Sequence, residues 1–215
     1  MKVLLIAGGK STSIEIREVV EQFYKDIYDI VYNIIGDNEE ISDAFDTIKD
    51  KDLKLKVNSR SLSSCEIFYI IGFSNPLLRV KFINLFESLR CKAINVIHPS
   101  AYIATSAIIG EGNYIAANSV ISSNAKIGNH NIINYSVTIG HDASIDSNCT
   151  LNPGSRVSGN VTLGNRILIG ANSFIFQGKA IGNDVLIDAL TYIDRDIPEN
   201  SICSSKQVKV FKRVQ

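Results

Sequence analysis

The sequence predicts two architectures in series: a small Rossmann-like α/β unit built on a parallel sheet, then an all-β unit that is a parallel β-helix. Three observations carry that reading. Through the first 95 residues, apolar runs of strand length that end at Gly8, Gly36 and Gly72 alternate with helical patterns. From Ile97 to Ile193 every sixth residue is aliphatic, seventeen in succession with no insertion. The residue two before each is usually small, as at Ala107, Ser119, Ala125, Ala143 and Ser155, and the residue after is often Gly, as at Gly110, Gly128, Gly140 and Gly170.

The elements follow in order. Lys2–Ala7 is a strand that ends at Gly8-Gly9, after which Ile16, Val19, Val20 and Phe23 recur at helical spacing. Residues 29–35 form a second apolar run, closed by Gly36-Asp37. Residues 38–64 are polar, with charge runs such as Lys49-Asp50-Lys51-Asp52, and read as a loop-rich connection. Glu66–Ile71 is a third strand. Ser74-Asn75-Pro76 then has the order of a helix N-cap with Pro in the first turn, and Leu78, Phe82, Leu85, Phe86 and Leu89 supply that helix's apolar stripe. Strand–helix–strand order implies a parallel sheet, whose ligands sit at the carboxyl ends of the strands. Gly8, Gly36 and Gly72 all fall there.

The period of six needs a different geometry, because helices repeat at 3.6 and ordinary strands at 2. Three hexapeptides form one triangular coil of eighteen residues. The repeated aliphatic points inward and stacks on its equivalents one coil away, at a strand spacing of about 4.8 Å. Small residues fit the crowded inner corner, and Gly, Asn and Asp suit the turns. The expected division is residues 1–95 for the α/β unit, 96–200 for the β-helix and 201–215 for a basic tail.

The totals narrow the function classes. Lys plus Arg and Asp plus Glu each number 22, so no net field draws in nucleic acid or a membrane surface. No apolar stretch is long enough to span a bilayer, and the N-terminal run is too short for a secretory signal. Cys65, Cys91, Cys149 and Cys203 are scattered without C-x-x-C pairs, which fits small apolar residues in a reducing compartment. The expected address is the cytoplasm, with neither nucleic acid nor membrane as a partner.

The hexad of an aliphatic followed by Gly, the α/β unit ahead of it, and Thr138-Ile139-Gly140-His141-Asp142 together resemble the bacterial hexapeptide-repeat acyltransferases. Within them the chain is most similar to the sugar acetyltransferase branch. That branch holds nucleotide-amino-sugar N-acetyltransferases of surface-glycan synthesis, O-antigen and lipopolysaccharide included, and sialic-acid O-acetyltransferases. The resemblance covers nearly the whole chain. It implies a left-handed coil, a homotrimer, acetyl-CoA along the groove between neighbouring β-helices, and a nucleotide-sugar acceptor held by the α/β unit.

The resemblance also implies site residues. It puts the general base at His141 and the assisting acid at Asp142. A neutral imidazole, with an unperturbed pKa of about 6.5, suits proton removal from an attacking amine or hydroxyl at cellular pH. Coenzyme contacts fall at Gly159, Ala171 and Ala189. The basic run over residues 206–213 reads either as lysines that meet the coenzyme's phosphates or as a solvated end. Acceptor contacts fall at Lys10, Ser11 and Thr12 in the first loop, at Gly36 and Asp37 after strand two, and at Gly72 after strand three. His98 reads as structural, and His130 as a solvated turn residue or part of a subunit seam. The pattern also resembles gamma-class carbonic anhydrases, but those need three converging imidazoles, and the repeats hold only His130 and His141, so no metal is expected.

Three departures from the family pattern stand out. The first loop is Gly8-Gly9-Lys10-Ser11-Thr12-Ser13 instead of Gly-x-Gly. Thr150 stands where many relatives carry a second His, nine residues after the base. Ser204-Ser205-Lys206-Gln207 replaces a Gly-x-Pro-Ala motif. The leading expectation is N-acetylation of a UDP- or dTDP-4-amino-4,6-dideoxyhexose. O-acetylation of a sugar hydroxyl, or a non-catalytic trimeric scaffold that binds a nucleotide sugar, are the alternatives.

Overall fold

The computed structural model describes residues 1–35, 46–59, 62 and 64–204. The chain begins with β1 (Lys2–Gly8), α1 (Lys10–Phe23), β2 (Ile30–Ile35) and β3 (Thr47–Lys49). A single 3₁₀ turn, Asp50–Asp52, leads into α2 (Leu53–Val57), followed by β4 (Glu66–Gly72), α3 (Pro76–Ser88) and β5 (Lys92–Ala93). The strands form one sheet in the order β3-β2-β1-β4-β5, with every pairing parallel. The central β1 is covered on both faces, as parallel sheets require. Val3, Leu5 and Ala7 pack with residues of α2 and α3, while Leu4 and Ile6 pack with α1 and the first coils of the β-helix.

The loop-rich reading of residues 38–64 is corrected over its described part. β3 adds an edge strand, and Ile48, Leu53, Val57 and Leu62 are buried in the sheet's second core. Elements of three and five residues, with charges between their few apolar positions, are too short to show a period. The N-cap expected before α3 is present. Asn75 Oδ1 accepts hydrogen bonds from the amides of Leu77 and Leu78 at 2.9 and 3.1 Å, and Pro76 opens the helix.

From Val96 the chain winds as a left-handed parallel β-helix of two-residue strands. They stack into three sheets of six, five and seven strands, and paired residues such as Val120 and Thr138 lie eighteen apart. The repeated aliphatics face inward and form one continuous core with Val137, Val161, Ile167 and Val185. Each such burial contributes roughly 1.5–3 kcal/mol. From Gly112 to Leu190 every sixth residue has a positive φ, and most of these are Asn, Asp or Gly. The glycines that follow the aliphatics serve another purpose. A Cβ on Gly140 would lie 2.4 Å from the backbone N of Gly159, so these positions are set by the close approach of successive coils.

The seven-stranded sheet carries the α/β unit. Its outward residues Val96, Tyr114 and Ile132 are buried against α1 and β4. Among the described residues no helix is long and apolar enough to cross a membrane.

Candidate active site

His141 and Asp142 occupy the corner after the strand Thr138–Ile139 of the six-stranded sheet. Their side chains are 54% and 46% exposed, and His141 Nδ1 lies 2.8 Å from Asp142 Oδ2. The hydrogen bond to His141, and a second one from Asn124 Nδ2 to Oδ1 at 3.1 Å, hold the Asp142 carboxyl below its usual range. Asp142 is therefore ionised and only accepts, so Nδ1 carries the proton in this contact. A neutral His141 ring then has Nε2 unprotonated and able to take a proton from solvent or a ligand. Asp142 itself has φ 57°, the left-handed turn conformation of its corner.

The ring rests on Gly159, one coil further along the same corner. A Cβ there would lie 2.6 Å from Nε2 and 2.7 Å from Cε1. Gly159 thus supports the imidazole from below, and only a residue without a side chain leaves room for it. Ala171 and Ala189 stack one coil apart at a different corner, where Leu190 N donates to Ala171 O at 2.9 Å. Within one chain the structure does not bring these two alanines together with Gly159.

Of the residues expected on the acceptor side, Lys10, Ser11, Thr12 and Gly72 are described, and they fall at the carboxyl end of the α/β sheet. Lys10, Ser11 and Thr12, expected in a loop, instead form the first turn of α1. Gly9 at the N-cap offers no side-chain acceptor, and the first turn holds no acidic residue, so this end presents amide donors and a partial positive charge. Gly72 pairs with Gly8 at the strand ends, and a Cβ on it would lie 2.8 Å from Ile16 Cδ1 and 3.0 Å from Thr12 Cγ2. Its smallness lets the start of α1 settle over β4. Gly36, Asp37 and tail residues 205–215 lie outside the described residues.

His130 is corrected. It is buried, with its ring stacked on Tyr69 at 5.9 Å between centroids, and Nδ1 has no hydrogen-bond partner among the described residues. Burial, with Arg79 close by, lowers its pKa to about 4. His98 accepts from Ser100 N through Nδ1 at 3.1 Å and meets the Phe23 ring edge-on, which fits the structural role expected for it.

Sequence reasoning passed over Arg79, which joins the two units. Fully buried in α3, it donates to Phe73 O at 3.0 and 2.9 Å, to His130 O at 2.7 Å, to Cys149 O at 3.0 Å and to the Thr150 hydroxyl. Burial pulls its pKa down to about 10, so it stays charged at neutral pH. Thr150 in turn donates to Ser74 O at 3.0 Å. Thr150 therefore faces the α/β unit across the seam, on another side of the coil from His141. Beside this seam Asn75, Pro76 and Leu77 face Arg166, Leu168 and Leu186 across a cleft of about 360 Å³.

Residues 106–141 match the family described as bacterial transferase hexapeptide (six repeats). Those residues carry hexapeptide repeats of that family's pattern. No curated protein sequence matches it. Among solved structures, it is similar to the acetyltransferase domain of PglB from Neisseria gonorrhoeae FA1090, with TM-score 0.82, 23% identity, and 93% of this chain and 95% of that one covered. A mutant of perosamine N-acetyltransferase from Caulobacter crescentus, in complex with CoA and GDP-perosamine, gives TM-score 0.81 at 23% identity, covering 94% and 92%. WeeI from Acinetobacter baumannii AYE gives 0.85 at 19% identity, covering 94% and 96%. All three share the order of α/β sheet and β-helix over nearly their full lengths.

Proposed function

We propose that this chain is an acetyl-CoA-dependent N-acetyltransferase acting on a nucleotide-linked amino sugar, with His141 as general base and Asp142 as the carboxylate that orients it. The observation that carries this reading is the His141–Asp142 hydrogen bond, which leaves Nε2 free to accept a proton on an exposed corner. Support comes from folds of the same two-part order that bind CoA or a nucleotide amino sugar. The amine nitrogen attacks the thioester carbonyl carbon while Nε2 takes a proton from that nitrogen. The tetrahedral intermediate then collapses, the C–S bond breaks, and the proton passes to the leaving thiolate. Such base catalysis contributes roughly 10²–10⁴ in rate.

The bare amides at the start of α1 suit a diphosphate, beside Gly72 and next to the strand ends. A groove lined by Gly159 from one corner and Ala171 and Ala189 from another requires two copies of the chain, which favours a homotrimer with one groove per pair. The place in surface-glycan synthesis follows from the acceptor class.

The test is release of free CoA thiol from acetyl-CoA across a panel of GDP-, UDP- and dTDP-linked amino sugars, with the matching hydroxy sugars as controls. Thiol release with one amino sugar identifies both the nucleotide and the sugar. Release with hydroxy sugars alone points to O-acetylation. Silence with all of them, together with no binding of acetyl-CoA, overturns the reading and favours a nucleotide-sugar scaffold.

A further inference from the structure

The corner that carries Asp142 has one member per coil: Ser106, Asn124, Asp142, Asn160 and Gly178. The last four all have positive φ, between 57° and 72°. Asn, Asp and Gly each tolerate that conformation, so the backbone at position 142 needs no charge. The charge serves the side chain. One carboxylate oxygen of Asp142 accepts from His141 and the other from Asn124, so two donors from successive coils set the carboxylate plane. Asn124 is held in its turn, since its backbone amide donates to Ser106 Oγ at 3.0 Å. Because Asp142 offers only acceptors, the Asn124 atom facing it is the amide nitrogen.

We propose that Asn124 is a positioning residue for the acetyl-transfer reaction. By donating to Asp142 Oδ1 it turns Oδ2 toward His141 and keeps the imidazole in the tautomer with Nδ1 protonated and Nε2 free. The His141–Asp142 pair is about half exposed, so water competes for each of its bonds. A carboxylate held at one oxygen alone turns broadly about its last torsion. The second contact removes that freedom. Asn124 touches no reacting atom and acts through Asp142. The rate consequence rests on the acetyl-transfer reading, whereas the tautomer does not.

The test reads the tautomer directly from imidazole ¹⁵N shifts in histidine-labelled full-length protein, above the pH where the ring titrates. His141→Gln assigns the signals. Asn124→Gly deletes the amide without strain at φ 58°, and Asn124→Asp keeps the size while replacing the donor. In wild type, Nδ1 shows the protonated shift and Nε2 the unprotonated one. In both variants the two shifts converge toward a mixture, and kcat falls about tenfold with KM nearly unchanged. An unchanged tautomer in both variants overturns the proposal, whatever happens to turnover. Acetyl transfer is judged separately, by wild-type turnover and its loss in His141→Gln.

Discussion

Around His141 the sequence made two residues legible and left two others hidden. His141 and Asp142 are neighbours in the chain, so their pairing can be read directly from the motif. Asn124 and the supporting role of Gly159 become visible only when positions eighteen apart are set side by side, one coil on the next. The period that would have shown them was already in the sequence. Gly159→Ala places a methyl group where the ring lies, 2.6 Å from Nε2. The variant should keep its melting temperature within a few degrees, because Gly159 has no left-handed φ to relieve. Its kcat should fall about tenfold or more, as a displaced base loses part of its 10²–10⁴ contribution. Steady-state assays beside a thermal melt check both halves. His130 makes a separate prediction about acid. Its folded pKa of about 4 lies below its unfolded value near 6.5, so the folded protein binds fewer protons than the unfolded chain between those values. The stability this neutral ring contributes is complete above pH 6.5 and is lost as pH falls through about 4, a change on the order of 3 kcal/mol. His130→Asn, which tolerates the positive φ of this corner, should flatten the decline in melting temperature over that window.

Among the elements, the expected strands and helices β1, α1, β2, β4 and α3 form, because each has a clear period or a cap. β3 and α2 were hidden by brevity and interleaved charge. The seam between sheet and coil was also missed: the outward positions 96, 114 and 132 are Val, Tyr and Ile, but outward positions elsewhere, such as Tyr102, Ile108 and Val120, are as apolar, so nothing singled these out. Nothing singled out Arg79 either, since an arginine on a helix ordinarily looks solvated. The Thr150 position, which stood out as a departure from related sequences, is occupied by a hydroxyl that both accepts from Arg79 and donates to Ser74 O. Thr150→Val keeps the shape and removes both bonds inside the seam. It should lose about 1–3 kcal/mol of stability, measured by chemical denaturation, while Thr150→Ser should stay within about 1 kcal/mol of wild type. Equal stability in Thr150→Val and wild type would mean that Arg79 finds its partners elsewhere.

For the whole molecule, seventeen aliphatics in step fix the coil more firmly than any local propensity, because each is stacked on its equivalents and a one-residue slip would turn a whole row outward. What the repeat does not encode is how copies of the chain meet. Gly159 and the pair Ala171 and Ala189 lie at separate corners, and His141 lies on another side of the coil from the seam where Arg79 and Thr150 meet. Under the proposed reading, the base and the acceptor site come together between the chains of a homotrimer. The most direct measurement is kcat/KM for acetyl transfer by wild type and His141→Ala across the full pH range. A base role for His141 predicts a wild-type rate that drops as the ring becomes protonated, and a variant rate lower by roughly 10²–10⁴ with that drop abolished. A variant that keeps wild-type turnover at every pH would contradict it.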